Sequence, residues 1–169
     1  MTLVGYGVMV GIPVISSAWV ELLGFTEAQV GRVAGADLGG LALGSVLSSL
    51  FMSRWNRRWL AAAGLLIAVA ANGLCVVFVA YEQVLWLRVM AGLGAGVYTA
   101  VAVTTLGGSS KPARAYNLML FAFAFSQAAE MQVLPMLSMN GIYYAFMLAF
   151  GLSAPLLRFI PARPAPVPR

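Results

Sequence analysis

Three ionisable side chains, Asp37, Arg88 and Glu130, stand well inside long apolar runs of this sequence. A charge at such a position is costly unless it meets an opposite charge or water, so these residues are the first candidates for chemistry. The available residue types limit what that chemistry is. There is no His and only one Cys, Cys75, which lies in an apolar run. His-based triads, His-ligated metal sites and an internal disulfide are therefore excluded. No nucleophile–base set stands out elsewhere, and the expectation is a non-enzyme with no cofactor and no metal. What remains is ion-pair and proton chemistry: a carboxyl group whose charge depends on burial and on a nearby arginine.

The helical faces of these residues point the same way. Asp37 shares its face with Ala34, Gly40 and Gly44, and Arg88 shares its face with Gly92, Ala95 and Thr99. Glu130 follows Ser126 and Gln127 at the four- and three-residue spacings that put side chains on one helix face. Small and polar faces should turn into a bundle and not toward lipid. The expected arrangement is an Arg88–Glu130 or Arg88–Asp37 ion pair lining a wet cavity, with Ser126 and Gln127 beside it. The plainer alternatives are a purely structural salt bridge, or Arg88 extending along its stem to the interface.

The elements that must position these residues are membrane spans. Of 169 residues, 62% are hydrophobic and 9% charged, whereas soluble domains carry roughly 25% charged residues. Six apolar segments reach the roughly 20 residues that cross a bilayer: about 3–22, 29–53, 60–81, 84–106, 115–136 and 142–160. The runs are continuous and do not alternate with period two, so helices are expected and a barrel is not. The fold class is all-α, a polytopic membrane protein with a six-helix domain over 1–160 and a disordered Pro-rich cytoplasmic tail over 161–169. Thr26 reads as a helix N-cap, and Tyr81-Glu82-Gln83 as a tight acidic turn. The first segment has Ser16-Ser17-Ala18 as a possible cleavage site, but no basic stretch precedes it, so it is read as a span and not a removable leader.

Charge placement agrees with this count. Arg54, Arg57 and Arg58, then Lys111 and Arg114, then Arg158, Arg163 and Arg169 all fall on one side of a six-span chain. Glu21, Glu27 and Glu82 fall on the other, with Arg32 and Arg88 just inside helices. The net charge of +5 is thus a topology signal and not a nucleic-acid surface. The basic side is expected in the cytoplasm of a cell (inner or plasma) membrane, with both termini there. On this reading Asp37, Arg88 and Glu130 lie eight, four and six residues from the outer ends of their segments. At about 1.5 Å per residue all three sit roughly 6–12 Å deep, and they could meet.

Small residues recur at four-residue spacing: Gly31, Gly35 and Gly39, then Gly40 and Gly44, then Gly92 and Gly96. They read first as close helix packing, and second as smooth faces along which helices slide. Pro13 and Pro155 inside their segments are expected to shape or kink helices, and the first segment is glycine-rich at Gly5, Gly7 and Gly11. Trp19, Trp55, Trp59, Trp86, Tyr143 and Tyr144 near segment ends read as interface anchors.

Three passages resemble the N-terminal six-helix half of a major facilitator superfamily transporter. Leu23-Gly24-Phe25-Thr26-Glu27-Ala28-Gln29-Val30-Gly31 is similar to the family's entry into its second helix. Arg54-Trp55-Asn56-Arg57-Arg58 looks like the end of its cytoplasmic signature, G-x-L-x-D-R-x-G-R-R, with Ser49, Ser53 and Asn56 in place of Gly, Asp and Gly. Arg88-Val89-Met90-Ala91-Gly92-Leu93-Gly94-Ala95-Gly96 resembles its fourth-helix signature, R-x-x-x-G-x-G-x-G, with Ala91 where Gln is frequent. Lys111 to Ala115 looks like its basic turn into helix five. Helix five lacks the G-P-x-x-G-G of the family's drug–proton antiporters and has Ser126-Gln127-Ala128-Ala129-Glu130 instead.

The resemblance implies two inverted three-helix repeats, with helices one, two, four and five lining a cavity and three and six outside. It gives Arg88 the proton-coupling role of the fourth-helix arginine, and Arg54, Arg57 and Arg58 a cytoplasmic gating role. Asp37 and Glu130 have no counterpart in the family pattern. The implied function is secondary active transport of a small solute, by symport or antiport and with H+, in a lipid bilayer. The length matches half of such a transporter. A fragment or truncated product, one partner of a split pair, and a homodimer all follow as readings, the first favoured. The alternative to transport is a non-transporting membrane subunit or scaffold.

Overall fold

A computed structural model describes residues 1–162. Six long helices follow one another: α1 (Thr2–Leu23), α2 (Glu27–Phe51), α3 (Arg57–Val77), α4 (Tyr81–Gly107), α5 (Pro112–Val133) and α6 (Met139–Ser153). Each is apolar and long enough to cross a membrane, counting short 3-10 turns that prolong α5 to Met136 and α6 to Phe159. No strand is present among the described residues. The expected tail falls, from residue 163 onward, outside them.

Local chemistry sets the helix boundaries and moves several away from the hydropathy pattern. Gly24 closes α1 in the left-handed region (φ 68), where a residue without Cβ is unstrained. Thr26 caps α2 as expected: its Oγ1 accepts from Gln29 N, and Gln29 Oε1 accepts from Thr26 N (2.9 Å). That capping box starts α2 at Glu27 and not at 29. Asn56 Oδ1 accepts from Arg58 N (2.9 Å), so α3 begins at Arg57, inside the basic loop, instead of at 60. The α3–α4 turn is Phe78–Ala80. Tyr81-Glu82-Gln83, expected to be the turn, is the first turn of α4, where Glu82 faces the positive end of the helix dipole. α5 starts on Pro112, whose missing N–H costs nothing in a first turn. Prolines also end helices. Pro135 and Pro155 cannot donate to the carbonyl one turn back, and α5 and α6 tighten into 3-10 turns there. Pro13, by contrast, lies inside an unbroken α1.

Helix α4 is the axis of the packing, with α2 on one side and α3 on the other. Glycines make both contacts close. A methyl group at Gly40 or Gly44 of α2 would run into the backbone carbonyls of Val89 and Leu93, and one at Gly92 or Gly96 of α4 into those of Asp37 and Leu41. Between α3 and α4, a methyl at Gly64 would meet the Gly94 carbonyl oxygen at 2.7 Å. Without a hydrophobic drive between helices in lipid, this backbone approach is what holds them. Gly31, Gly35 and Gly39, read as another packing stripe, have nothing within 4 Å of the place a Cβ would take. That face of α2 is open because the α4 contact lies on the Asp37–Gly40–Gly44 face. Helix α5 is the opposite of α4: none of its residues is buried.

Two apolar clusters fill the interior. One holds Ile15, Trp19, Val33, Val84, Tyr143 and Phe146, and the other Leu60, Ala68, Tyr98, Val101 and Phe150. Trp19 and Tyr143, expected at an interface, are core residues; the indole Nε1 donates to the phenol oxygen (3.1 Å) inside the first cluster. Burying each polar tip against the other removes the need for water. Trp55, Trp59, Trp86 and Tyr144 are exposed.

Candidate functional site

Along α2, α3 and α4, the polar residues Asp37, Asn72 and Arg88 fall between these two apolar clusters. Of the two expected pairings, the structure forms Arg88–Asp37. Arg88 Nη2 and Nε both donate to Asp37 Oδ2, at 2.5 and 3.1 Å. Arg88 Nη1 donates to Asn72 Oδ1 (2.9 Å), and Asn72 Nδ2 donates back to the Ala68 carbonyl (2.7 Å). One guanidinium therefore ties three helices together, using the fork of donors that Lys lacks.

The α2–α4 seam makes room for this. A methyl at Gly92 would come within 2.9 Å of Asp37 Oδ1, one turn beyond Arg88 on the same face of α4. The site is sealed: Arg88 is 1% exposed and Asp37 3%. The pair is thus enclosed by protein and does not line a wet cavity, because Asn72 and the glycine-tight helices close over it. Arg88 does not reach toward an interface either. Helix α3, expected outside, supplies the third member, and Cys75, one turn beyond Asn72, is buried beside Arg88 and Tyr143.

Asn72 was not foreseen. Its signal was present, since an Asn in the middle of an apolar span needs a polar partner much as a charge does.

Glu130 is not part of this cluster. It sits in the seam between α5 and α1. Its Oε1 accepts from Ser126 Oγ (3.2 Å), while its Oε2 is buried without a hydrogen-bond partner. Opposite it are Gly7 and Gly11 of α1, and a methyl at Gly11 would stand 3.1 Å from Oε2. The absent side chains on α1 leave the space that the carboxylate occupies. Ser126 therefore joins Glu130 as the spacing predicted, whereas Gln127 is exposed and has no part in this contact.

The basic loop has a definite task in this structure. Arg58 Nε donates to the Ile160 carbonyl (2.5 Å), and Arg57 N donates to the Ala162 carbonyl (3.2 Å). The start of α3 thus holds the chain segment that leaves α6. Arg54, Lys111 and Arg114 are exposed.

Six apolar helices, glycine seams and a buried charge pair define a multi-pass helical membrane protein. The whole chain, residues 1–169, matches the family model of the Major Facilitator Superfamily, and the protein belongs to that family. No curated protein and no solved structure gives a significant match.

Proposed function

We propose that the chain serves secondary active transport of a small solute by alternating access, with protons as the coupling ion. The observation that carries this reading is Glu130: a carboxylate with a buried, unpartnered oxygen in the α1–α5 seam, facing glycines and not a cation. A lone carboxyl group changes its charge by gaining or losing one proton. Any motion of α1 against α5 changes the surroundings that decide between the two states. Arg88, Asp37, Ser126 and Gln127 are the further coupling candidates, and Arg54, Arg57 and Arg58 the gating loop. Arg88 acts here through its hold on α2 and α3.

The cell (inner or plasma) membrane with the arginine-rich ends in the cytoplasm is the location that the charge distribution supports. The open stripe of Gly31, Gly35 and Gly39 and the unburied α5 support a partner of the same kind, a second six-helix half or a second copy.

The test is proteoliposomes loaded with a pH-sensitive dye and offered panels of sugars, amino acids, organic cations and organic anions. The expected result is proton movement that depends on one solute class and is lost in Glu130→Gln. Solute flux that keeps its pH dependence in Glu130→Gln would remove Glu130 from coupling. A second reading, a non-transporting subunit or scaffold, draws on the Asp37–Arg88–Asn72 cluster, whose closed hydrogen bonding suits a structural role. Stable, folded protein with no flux for any class would favour it.

A further inference from the structure

The seam between α1 and α5 continues past Glu130 into a cavity of about 430 Å³ between α1, α5 and α6. Pro13, Ser17 and Glu21 line it from α1, Leu134 and Pro135 from the turn after α5, and Ile142 from α6. It runs toward the end of the bundle where α1 stops at Leu23, and Glu21 there is exposed. Leu134 stands at the inner end. It is buried, lies one helical turn beyond Glu130, and lines the cavity. Its Cδ1 and Glu130 Oε2 each lie 3.1 Å from the point a Gly11 methyl would take. Leu134 thus lines the cavity and also reaches the space beside Gly11 that the unpartnered oxygen adjoins.

The surroundings offer Glu130 no cation. The ion pair among the described residues is Arg88–Asp37, on other helices. From α1 come Gly7, Gly11 and, farther along, Glu21 at the cavity; Tyr6 lies edge-on to Phe123. From α6 the ring of Phe146 approaches Gly7, while Tyr143 is taken by Trp19. From α4, Val103 bonds Tyr116 elsewhere on α5. On α5 itself Ser126 holds the other oxygen. An orphaned buried oxygen next to a cavity calls for a partner that arrives and leaves. An acidic group at the mouth raises the local concentration of cations, protons included.

We infer that Glu130 exchanges its proton with the end of the bundle that carries Glu21, through the cavity between α1, α5 and α6, with Leu134 as the apolar barrier in that path. This rests on the proton-coupled reading above and adds its route and side. The step is one proton transfer: a hydronium ion in the cavity loses an O–H bond, Glu130 Oε2 gains one, and water is left behind. Ser126 keeps its bond to Oε1 and holds the group in place.

The test uses the full chain in lipid nanodiscs and follows the infrared carboxyl band after a pH jump, with no solute present. A protonating carboxyl band of a buried, weakly hydrogen-bonded group, resolved from that of the exposed Glu21, Glu27 and Glu82, is expected in the parent protein and in Ser17→Cys, and is expected to vanish in Glu130→Gln. Leu134→Ala should speed its appearance about tenfold, which corresponds to roughly 1.4 kcal/mol off the barrier. In a Cys75→Ala background, Ser17→Cys modified with a bulky thiol reagent should slow it by a similar factor. A band that survives Glu130→Gln, or a rate unmoved by the plug at position 17, overturns the inference. Should Leu134→Ala fail to fold, the plug decides alone. Solute flux is not read here. A protein that passes this test yet carries nothing would sink the transport reading and leave the route standing.

Discussion

The α2–α4 contact and the α1–α5 contact are both built on glycines that face a carboxylate, yet they differ in what the carboxylate meets. Asp37 faces Gly92 and is held by two nitrogens of Arg88. Glu130 faces Gly7 and Gly11 and is held by one serine hydroxyl, with one oxygen left over. Around Asp37, helix backbones touch and both charges are sealed. Around Glu130, one wall is α5, which buries no residue of its own, and a cavity opens next to it. A charge pair enclosed by touching backbones fixes geometry, because neither partner can leave without stranding the other. A single carboxyl group in a loosely packed seam can change state without breaking such a pair. The first region is therefore the frame of the molecule, and the second is where we propose that motion and protonation are linked.

The largest expected effect tests the frame. Asp37→Ala leaves Arg88 buried with its main partner gone, and removal of one member of a buried pair costs about 3–5 kcal/mol. Loss of monodisperse protein in detergent, or a steep fall in thermal midpoint, would show it. Replacing both partners, Asp37→Leu with Arg88→Leu, should recover much of that loss, because no charge is stranded. If Asp37→Ala alone were harmless, the pair would not be the frame, and the contrast with Glu130 would fail at its stronger end.

How much of this contrast the sequence carried depends on which solvent did the selecting. Lipid rejects charge all along a span, so six apolar runs and the sided arginines stand out in the chain itself. The same rejection singles out Asp37, Arg88 and Glu130. Which of the two acids meets Arg88 was left open, since depth and face suited both. The answer lies in helix neighbours: α4 runs along α2 at glycine distance, while Glu130 is carried on the far side by α5. Asn72 goes unremarked in the sequence, and Trp19 and Tyr143 read there as interface anchors, for a related reason. A polar or aromatic side chain in a span looks the same whether it ends at the headgroups or in the core, and only its neighbours decide. Helix ends were legible where a cap was recognised, at Thr26. The start of α3 was missed where hydropathy was followed past a cap, at Asn56, while the spans of α5 and α6 run on past Pro135 and Pro155 as 3-10 turns to Met136 and Phe159.

A smaller effect tests whether the seams differ in closeness. Gly44→Ala places a methyl against the Leu93 carbonyl, with no flexible side chain to move aside. Overpacking of this kind costs about 1–3 kcal/mol, and backbone against backbone belongs at the upper end. Gly7→Ala meets Glu130 and the Phe146 ring at 3.6 Å or more, an ordinary contact, and should fold like the parent. Thermal unfolding of the two variants in the same detergent makes the comparison directly. Equal losses would mean that the α1–α5 side is as rigid as the α2–α4 side.

The smallest effect is the one whose sign matters most. Gly35 lies mid-helix in α2 with open space where its side chain would be. In an isolated bundle, Gly35→Ala should stabilise α2 by up to about 1 kcal/mol, since alanine loses less backbone entropy in a helix than glycine does. If another six-helix unit packs on the Gly31–Gly35–Gly39 stripe, the same methyl pushes two backbones apart and the change becomes a loss. Thermal midpoints measured at high dilution in detergent and again at high protein density in a bilayer separate the cases. A gain in both settings means that nothing covers this face. A gain in detergent that turns into a loss in the bilayer means that the open side of α2 is a contact surface for another six-helix unit.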